Sequence, residues 1–276
     1  MAAKLKILVQ MFTEGFEQSS KEQLFLVSYA VTSFFLLCGL AFVAAGLLPV
    51  QLEWIASVII FLVGVTTFLS ELRYRSLLAN CILFVLLLGL AFLVEFVGVT
   101  TGFPFGSYLY TDVLGFRVMD VPIAIAFAWY ATVMNTRRIA EWIQGDVSPL
   151  RIAFVAAILT LALDLVLEPT AAFIKSYWTW NAGVVPPQNY VSWFMLGFLA
   201  VFVLAAFESH HRRKRVQGAQ LTALALFGLQ FLLFAATNTS HGFLTTTVVS
   251  LMFVAAVMLF RAKHQWYFAA EKFGGK

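Results

Sequence analysis

An all-α, polytopic transmembrane helical bundle of about eight spans, with both termini cytoplasmic, is the fold the sequence predicts, and three observations predict it. Hydrophobic residues make up 61% of the 276-residue chain and charged residues only 12%, with a mean hydropathy of +0.88, far more apolar than a soluble domain. Apolar segments recur at about 24–47, 54–70, 77–97, 121–134, 152–167, 191–207, 221–236 and 244–260. Loop charge then alternates: with an inside amino terminus, 16 of the 18 Lys and Arg fall inside, leaving only Arg117 and Lys175 outside.

Residues 1–23 interleave Leu5, Leu8, Val9, Phe12 and Phe16 with Lys4 and Lys6, a pattern that predicts a short helix lying on the cytoplasmic interface. They lack a continuous apolar core with a small-residue cleavage site, so the first span is expected to act as its own insertion signal. Residues 24–262 carry no repeat, linker or soluble stretch and read as one transmembrane domain, with 263–276 as a cytoplasmic tail. Several segments fall short of the ~20 residues a perpendicular span needs, so polar ends complete the crossing inside the bundle. Cys38 and Cys81 differ in depth by roughly 15 Å at ~1.5 Å per residue, which excludes a disulfide between them. The basic run 210–215 reads as a topology determinant, and no nucleic-acid partner is expected.

Two stretches break the helical pattern, 98–110 and 177–190, and the charge alternation puts both outside. Each mixes Gly and Pro with interfacial aromatics, and together they are expected to roof a pocket walled by the outer ends of helices three to six.

Four acids lie in or at the ends of apolar segments on that same side: Glu95, Asp120, Asp164 and Glu168. Acids in lipid are costly and are functional candidates by default. Asp164 and Glu168 are four residues apart, share a helix face, and sit in the last turns before Pro169, where free carbonyls and partial desolvation favour the neutral acid. Glu95 lies near the outer end of helix three. Asp120-Val121-Pro122 reads as an N-cap with a first-turn proline, which favours the anion. Neutral acids facing an ionised one is the pattern of acid and base chemistry in one site. The structural alternative is that each acid satisfies buried backbone groups or pairs with Arg117 or Lys175.

What the chain lacks narrows the chemistry. His210, His211, His241 and His264 sit in or beside loops without metal-ligand spacing, and no cysteine cluster exists, so no metal site is expected. No lysine lies mid-span for a retinal Schiff base, and no glycine-rich loop follows a strand for a nucleotide. Metal-free acid chemistry, proton-coupled transport and passive lipid binding remain.

The block Glu95-Phe96-Val97-Gly98 through Thr101-Gly102-Phe103-Pro104-Phe105-Gly106-Ser107-Tyr108-Leu109-Tyr110, followed by Val121-Pro122 and Trp129, resembles the first signature of the CruF-type carotenoid hydratases. A second block, Asp164 to Pro169 with Trp178-Thr179-Trp180, Pro186, Asn189 and Trp193, is similar to their other signature. The blocks cover about a third of the chain; Ser192 stands where glycine is expected before the tryptophan, and Pro186-Pro187 replaces a looser loop.

The resemblance implies a cofactor-independent integral membrane enzyme that adds water across the terminal isoprene double bond of an acyclic carotenoid, giving a tertiary alcohol. On that reading a carboxylic acid protonates the alkene, a tertiary carbocation forms, and water positioned by a second carboxylate attacks it. Asp164 or Glu168 is the expected acid, with Glu95 next, and Asp120 or Glu95 the water-orienting base. Phe103, Phe105, Tyr108, Tyr110, Trp129, Trp178, Trp180, Asn189 and Trp193 are the candidates for holding the substrate end, with aromatic faces stabilising the cation. The expected setting is the cytoplasmic membrane with the site on the extracytoplasmic side, in contact with membrane lipids and water, and the sequence leaves a homo-oligomer open. The rival readings are a proton-coupled transporter, with Asp164 and Glu168 as a relay, and a non-catalytic carotenoid- or lipid-binding protein.

Overall fold

Helices account for most of the described residues, and their ends are set by local chemistry. The computed structural model describes residues 2–47, 54–144, 148–208, 217–252, 254–256 and 258–259, with side chains from residue 17 onward except that of Gln217. The expected cytoplasmic tail, 263–276, and the basic run, 210–215, lie outside these residues. The helices are α1 (Ala2–Ala44), α2 (Ile55–Leu72), α3 (Leu77–Thr101), α4 (Ile123–Gln144), α5 (Pro149–Glu168), α6 (Pro187–Glu208) and α7 (Gln217–Ser240), followed by a shorter apolar helix, α8 (Leu244–Ala256). Six of them are long and apolar enough to cross a membrane: Glu17–Ala44 of α1, α2, α3, Pro149–Ile174, α6, and Gly218–Ser240 of α7. The chain is therefore an all-α membrane bundle. The amino-terminal segment runs into the first span as one unbroken helix.

α3 starts at Ser76, whose hydroxyl accepts the Ala79 N–H at 3.3 Å, and stops at Gly102, which adopts φ +76° and returns its N–H to the Gly98 carbonyl. Pro149 occupies the first turn of α5, where its missing N–H costs nothing. Pro169 was expected to end that helix, and the α-helical pattern does stop at Glu168, but the chain does not leave the helix there. The chain continues as one wide π turn, Pro169–Ile174, closed by the Lys175 N–H on the Thr170 carbonyl. The wider turn accommodates the proline ring against the preceding turn, and α7 helps: Asn238 donates to the Val166 carbonyl at 2.8 Å and accepts from the Thr170 hydroxyl at 2.8 Å.

α4 is the centre of the bundle, packed by α2, α3, α5, α6 and α7, while α5 and α6 form the most extensive helix pair. Small residues permit the close approaches: a Cβ on Gly197 of α6 would lie 2.8 Å from the Thr160 hydroxyl of α5. Between α1 and α2, Thr66 shares its hydroxyl with Ser28 at 2.6 Å and Thr32 at 2.7 Å. Cys38 and Cys81 are both free.

The bundle has two polar ends. At one, Glu71 of α2 takes Arg138 of α4 at 2.5 and 2.6 Å and Arg75 at 3.1 Å, and Glu141 takes Arg138 at 2.8 Å and Arg137 at 2.9 Å. Glu208 at the end of α6 closes the network on Arg137 and Arg75. Three arginines thus meet three glutamates, with Glu71 and Arg137 each only 2% exposed. This corrects the expectation that Arg137 and Arg138 are loop residues: α4 extends to Gln144, ten residues beyond the anticipated limit of 134, because opposite charges from α2 and α6 neutralise its last turns.

The other end gathers the last turns of α3, α5 and α7 with the first turns of α4 and α6. There the two helix-breaking stretches pair as an antiparallel ribbon, β1 (Tyr108–Tyr110) with β4 (Trp178–Trp180), in the register Tyr108 to Trp180, Leu109 to Thr179 and Tyr110 to Trp178. A second two-stranded hairpin, β2 (Arg117–Val118) with β3 (Val121–Pro122), leads into α4.

Candidate active site

Period-two alternation in the ribbon determines which aromatics face inward. Tyr108, Tyr110, Trp178 and Trp180 are buried, and Leu109 and Thr179 point outward. The ribbon is tethered from α6: the Ser192 hydroxyl donates to the Pro104 carbonyl at 2.6 Å and the Gln188 amide to the same oxygen at 2.9 Å. The serine that departs from the expected glycine therefore holds the loop in place. Tyr108 packs on Trp180 with centroids 5.2 Å apart, and Trp129 stacks on Trp193 at 4.3 Å.

Beneath this roof lie three acids. Glu95 is 4% exposed and accepts three hydrogen bonds, from the Tyr108 and Tyr110 hydroxyls on Oε2 at 2.6 and 2.7 Å and from Trp129 Nε1 on Oε1 at 2.7 Å. Glu168 also has three donors: Trp180 Nε1 at 3.0 Å and Trp178 Nε1 at 3.4 Å on Oε2, and Asn189 Nδ2 at 3.1 Å on Oε1. The same Asn189 amide donates to Asp164 Oδ2 at 3.0 Å, so one NH₂ bridges two carboxyl groups. Asp164 Oδ1 is buried without a hydrogen-bond partner among the described residues. Every one of these donors is neutral, and Arg117 is engaged elsewhere, on Asp112 at 2.5 Å and the Tyr110 carbonyl at 2.9 Å.

The two phenols lie outside the membrane-spanning helices, and burial, followed by the nearby Glu95 carboxyl, pushes both of them above the ordinary tyrosine range. They therefore act as fixed donors to Glu95 at neutral pH.

A cavity of about 90 Å³ opens between these groups. Glu95 and Glu168 both line it, together with Tyr108, Tyr110, Trp129, Trp178, Trp180, Asn189, Trp193 and Phe105. Among the sequence-predicted residues three stand apart. Asp164 sits behind Glu168 and Asn189 and does not line the cavity. Phe103 is 71% exposed on the outside of its loop. Asp120 is not an N-cap: it is an exposed turn residue at φ +63° between β2 and β3, because Val121-Pro122 form a strand and α4 begins only at Ile123.

Gln230 and Phe234 of α7, Thr132 of α4 and Tyr177 also line the cavity and were missed. Gln230 carried a usable signal, as a lone amide within an otherwise apolar stretch of α7. Among the described residues, no three His, Cys, Asp or Glu side chains converge in a way that could hold a metal ion.

Fold and site together define a membrane-embedded carboxylate centre with an aromatic roof, suited to proton chemistry on an apolar molecule. A family model for carotenoid biosynthesis proteins matches residues 54–257, about three quarters of the chain, and the chain belongs to that family. It is 30% identical over 131 residues to the bisanhydrobacterioruberin hydratase of Haloarcula japonica, a match that covers 45% of this chain and 44% of that relative. No solved structure matches.

Proposed function

We propose that the protein is a carotenoid hydratase, adding water across the terminal isoprene double bond of an acyclic carotenoid to give a tertiary alcohol. The single observation that carries this reading is the pair of buried carboxyl groups, Glu95 and Glu168, on one aromatic-walled cavity without a cationic partner among their hydrogen bonds. Membership of a carotenoid biosynthesis family and likeness to a hydratase over part of the chain support the same reaction class.

Glu168 is the proton donor in this scheme. Asp164 and Glu168 share one amide donor, and that pair of adjacent carboxyl groups holds the proton that Glu168 delivers. Protonation of the less substituted alkene carbon leaves a tertiary cation, which the faces of Trp129, Trp180 and Tyr108 stabilise. Glu95, held by three donors, orients the water and takes its proton as the C–O bond forms. Each turnover thus consumes one water, and the proton gained at Glu95 returns to Glu168 across the cavity, which resets both carboxyl groups. Asp120, exposed on its hairpin, has no part in this scheme.

The test is expression in cells that make an acyclic carotenoid, with mass analysis for a product heavier by one water. Glu168→Gln and Glu95→Gln should each lower turnover at least ~100-fold while protein remains in the membrane; variants that hydrate as well as the parent would overturn the assignment. The site's placement on the extracytoplasmic side, with both termini inside, is tested by single cysteines at Ser107 and Ser176. Both positions are exposed, and an impermeant thiol reagent should reach them from outside, whereas a cysteine at Gln217 should be protected.

A further inference from the structure

An apolar cleft of about 500 Å³ runs between α3 and α6 over the surface of α4. It exists because α3 packs on α4 and α2 while α6 packs on α5 and α4, so the two helices do not close on each other. One wall runs from Leu83 to Val94 on α3 and the other from Leu196 to Phe207 on α6. At ~1.5 Å per helical residue each wall is roughly 16 Å long. The lining carries no ionisable side chain except the Tyr130 phenol.

The upper end of the cleft is the carboxylate site itself. Trp129 lines both the cleft and the site cavity, its indole N–H held by Glu95 and its face stacked on Trp193. Val94 is the neighbour of Glu95 in sequence, and Leu196 lies one turn from Trp193. A rod lying in the cleft therefore points at the acids.

We infer that the α3/α6 cleft is the binding groove for the polyene chain of the substrate, entered sideways from the bilayer, with the Trp129–Trp193 stack as the threshold that only the terminal alkene passes. The inference rests on the hydratase reading for the identity of the rod. A second cavity, of about 360 Å³, touches the site through Tyr177 and Phe234 between α1, α2 and α7, but Thr170 and Lys175 place polar groups in its wall. The apolar occupant belongs in the cleft whose lining is apolar but for the Tyr130 phenol.

Ala91 and Ala200 are small residues on opposite walls of the cleft. The full chain and its Ala91→Phe, Ala200→Phe and Gly39→Leu variants, the last in the second cavity, are expressed in cells that make an acyclic carotenoid and purified in detergent. Pigment per protein is read by absorbance on the monodisperse fraction. Both cleft variants should retain about tenfold less pigment than the parent. Retention in both, loss in Gly39→Leu alone, or a parent that carries phospholipid but no pigment would overturn the groove. A second measurement separates blockage from misfolding: the ratio of turnover on the full-length polyene to that on a short alkene with the same terminal unit. That ratio should fall about tenfold, whereas a misfolded variant lowers both rates together and leaves it unchanged. If the parent hydrates neither substrate the hydratase reading fails, and the pigment measurement still decides the groove.

Discussion

Removing the two phenol hydroxyls above Glu95 tests the site at its best-defined point. Tyr108 and Tyr110 donate to the same carboxylate oxygen at 2.6 and 2.7 Å, both side chains are buried, and Tyr→Phe leaves the rings and the ribbon register in place. A hydrogen bond to a charged buried group is worth ~1.5–3 kcal/mol, so each single variant should lower turnover roughly 10- to 100-fold if Glu95 must be held as the base. Because the hydroxyls share Oε2, the losses should not add. In Tyr108→Phe/Tyr110→Phe the carboxylate retains only Trp129, and the coupling between the two changes should be about 0.5–3 kcal/mol. The assay is carotenoid turnover in membranes, paired with thermal melting in detergent so that loss of structure is counted separately. Variants that melt several degrees lower yet turn over within about threefold of the parent would refute the functional role of the Glu95 cluster and leave it a structural one.

Three other outcomes follow from packing and charge. Gly98→Ala places a Cβ 2.8 Å from the Tyr108 hydroxyl and 2.9 Å from the Phe105 ring, so it should cost ~1–3 kcal/mol by thermal melting and weaken the Glu95 hydrogen bonds. Arg138→Leu leaves the buried Glu71 carboxylate with Arg75 alone and should destabilise by ~1.5–3 kcal/mol, with Glu71→Gln in the same chain recovering part of that loss. The phenols of Tyr108 and Tyr110 have raised values in the folded protein, so their contribution is fully present below about pH 10, where unfolded tyrosine is also neutral. Above that pH the unfolded chain ionises and the folded one resists, so the melting temperature should fall with rising pH, and the fall should be smaller in the double Phe variant.

Much of the site was legible in the sequence because intramembrane acids and paired aromatics are expensive and few. Glu95, Glu168 and Asn189, with the tyrosines and tryptophans of the two helix-breaking stretches, meet around one cavity as their spacing and family resemblance implied. The errors came where tertiary partners overrode local signals. Pro169 ends the α-helical pattern of α5 as expected, yet the chain runs on as a wide turn because Asn238 of α7 donates to the Val166 carbonyl. Asp120 has the local sequence of an N-cap, but pairing of Arg117-Val118 with Val121-Pro122 claims the backbone first. Arg137 and Arg138 read as loop cations because hydropathy cannot see Glu71 and Glu208 arriving from other helices.

The charged end of α4 also constrains how the protein is made. Glu141 on α4 itself neutralises only part of the charge of its two arginines; their other partners are Glu71 on α2, synthesised before it, and Glu208 on α6, synthesised after it. An arginine at the centre of a spanning helix costs roughly 2.5–3.5 kcal/mol on insertion, and one toward the helix end, paired as here, costs less. When α4 enters lipid its charge cluster is still one carboxylate short, because Glu208 has not yet been made. The stretch from α4 to α6 is thus bound into one charge network whose last member to be synthesised is Glu208, and a truncation before that residue leaves Arg137 with Glu141 as its one remaining partner in the network.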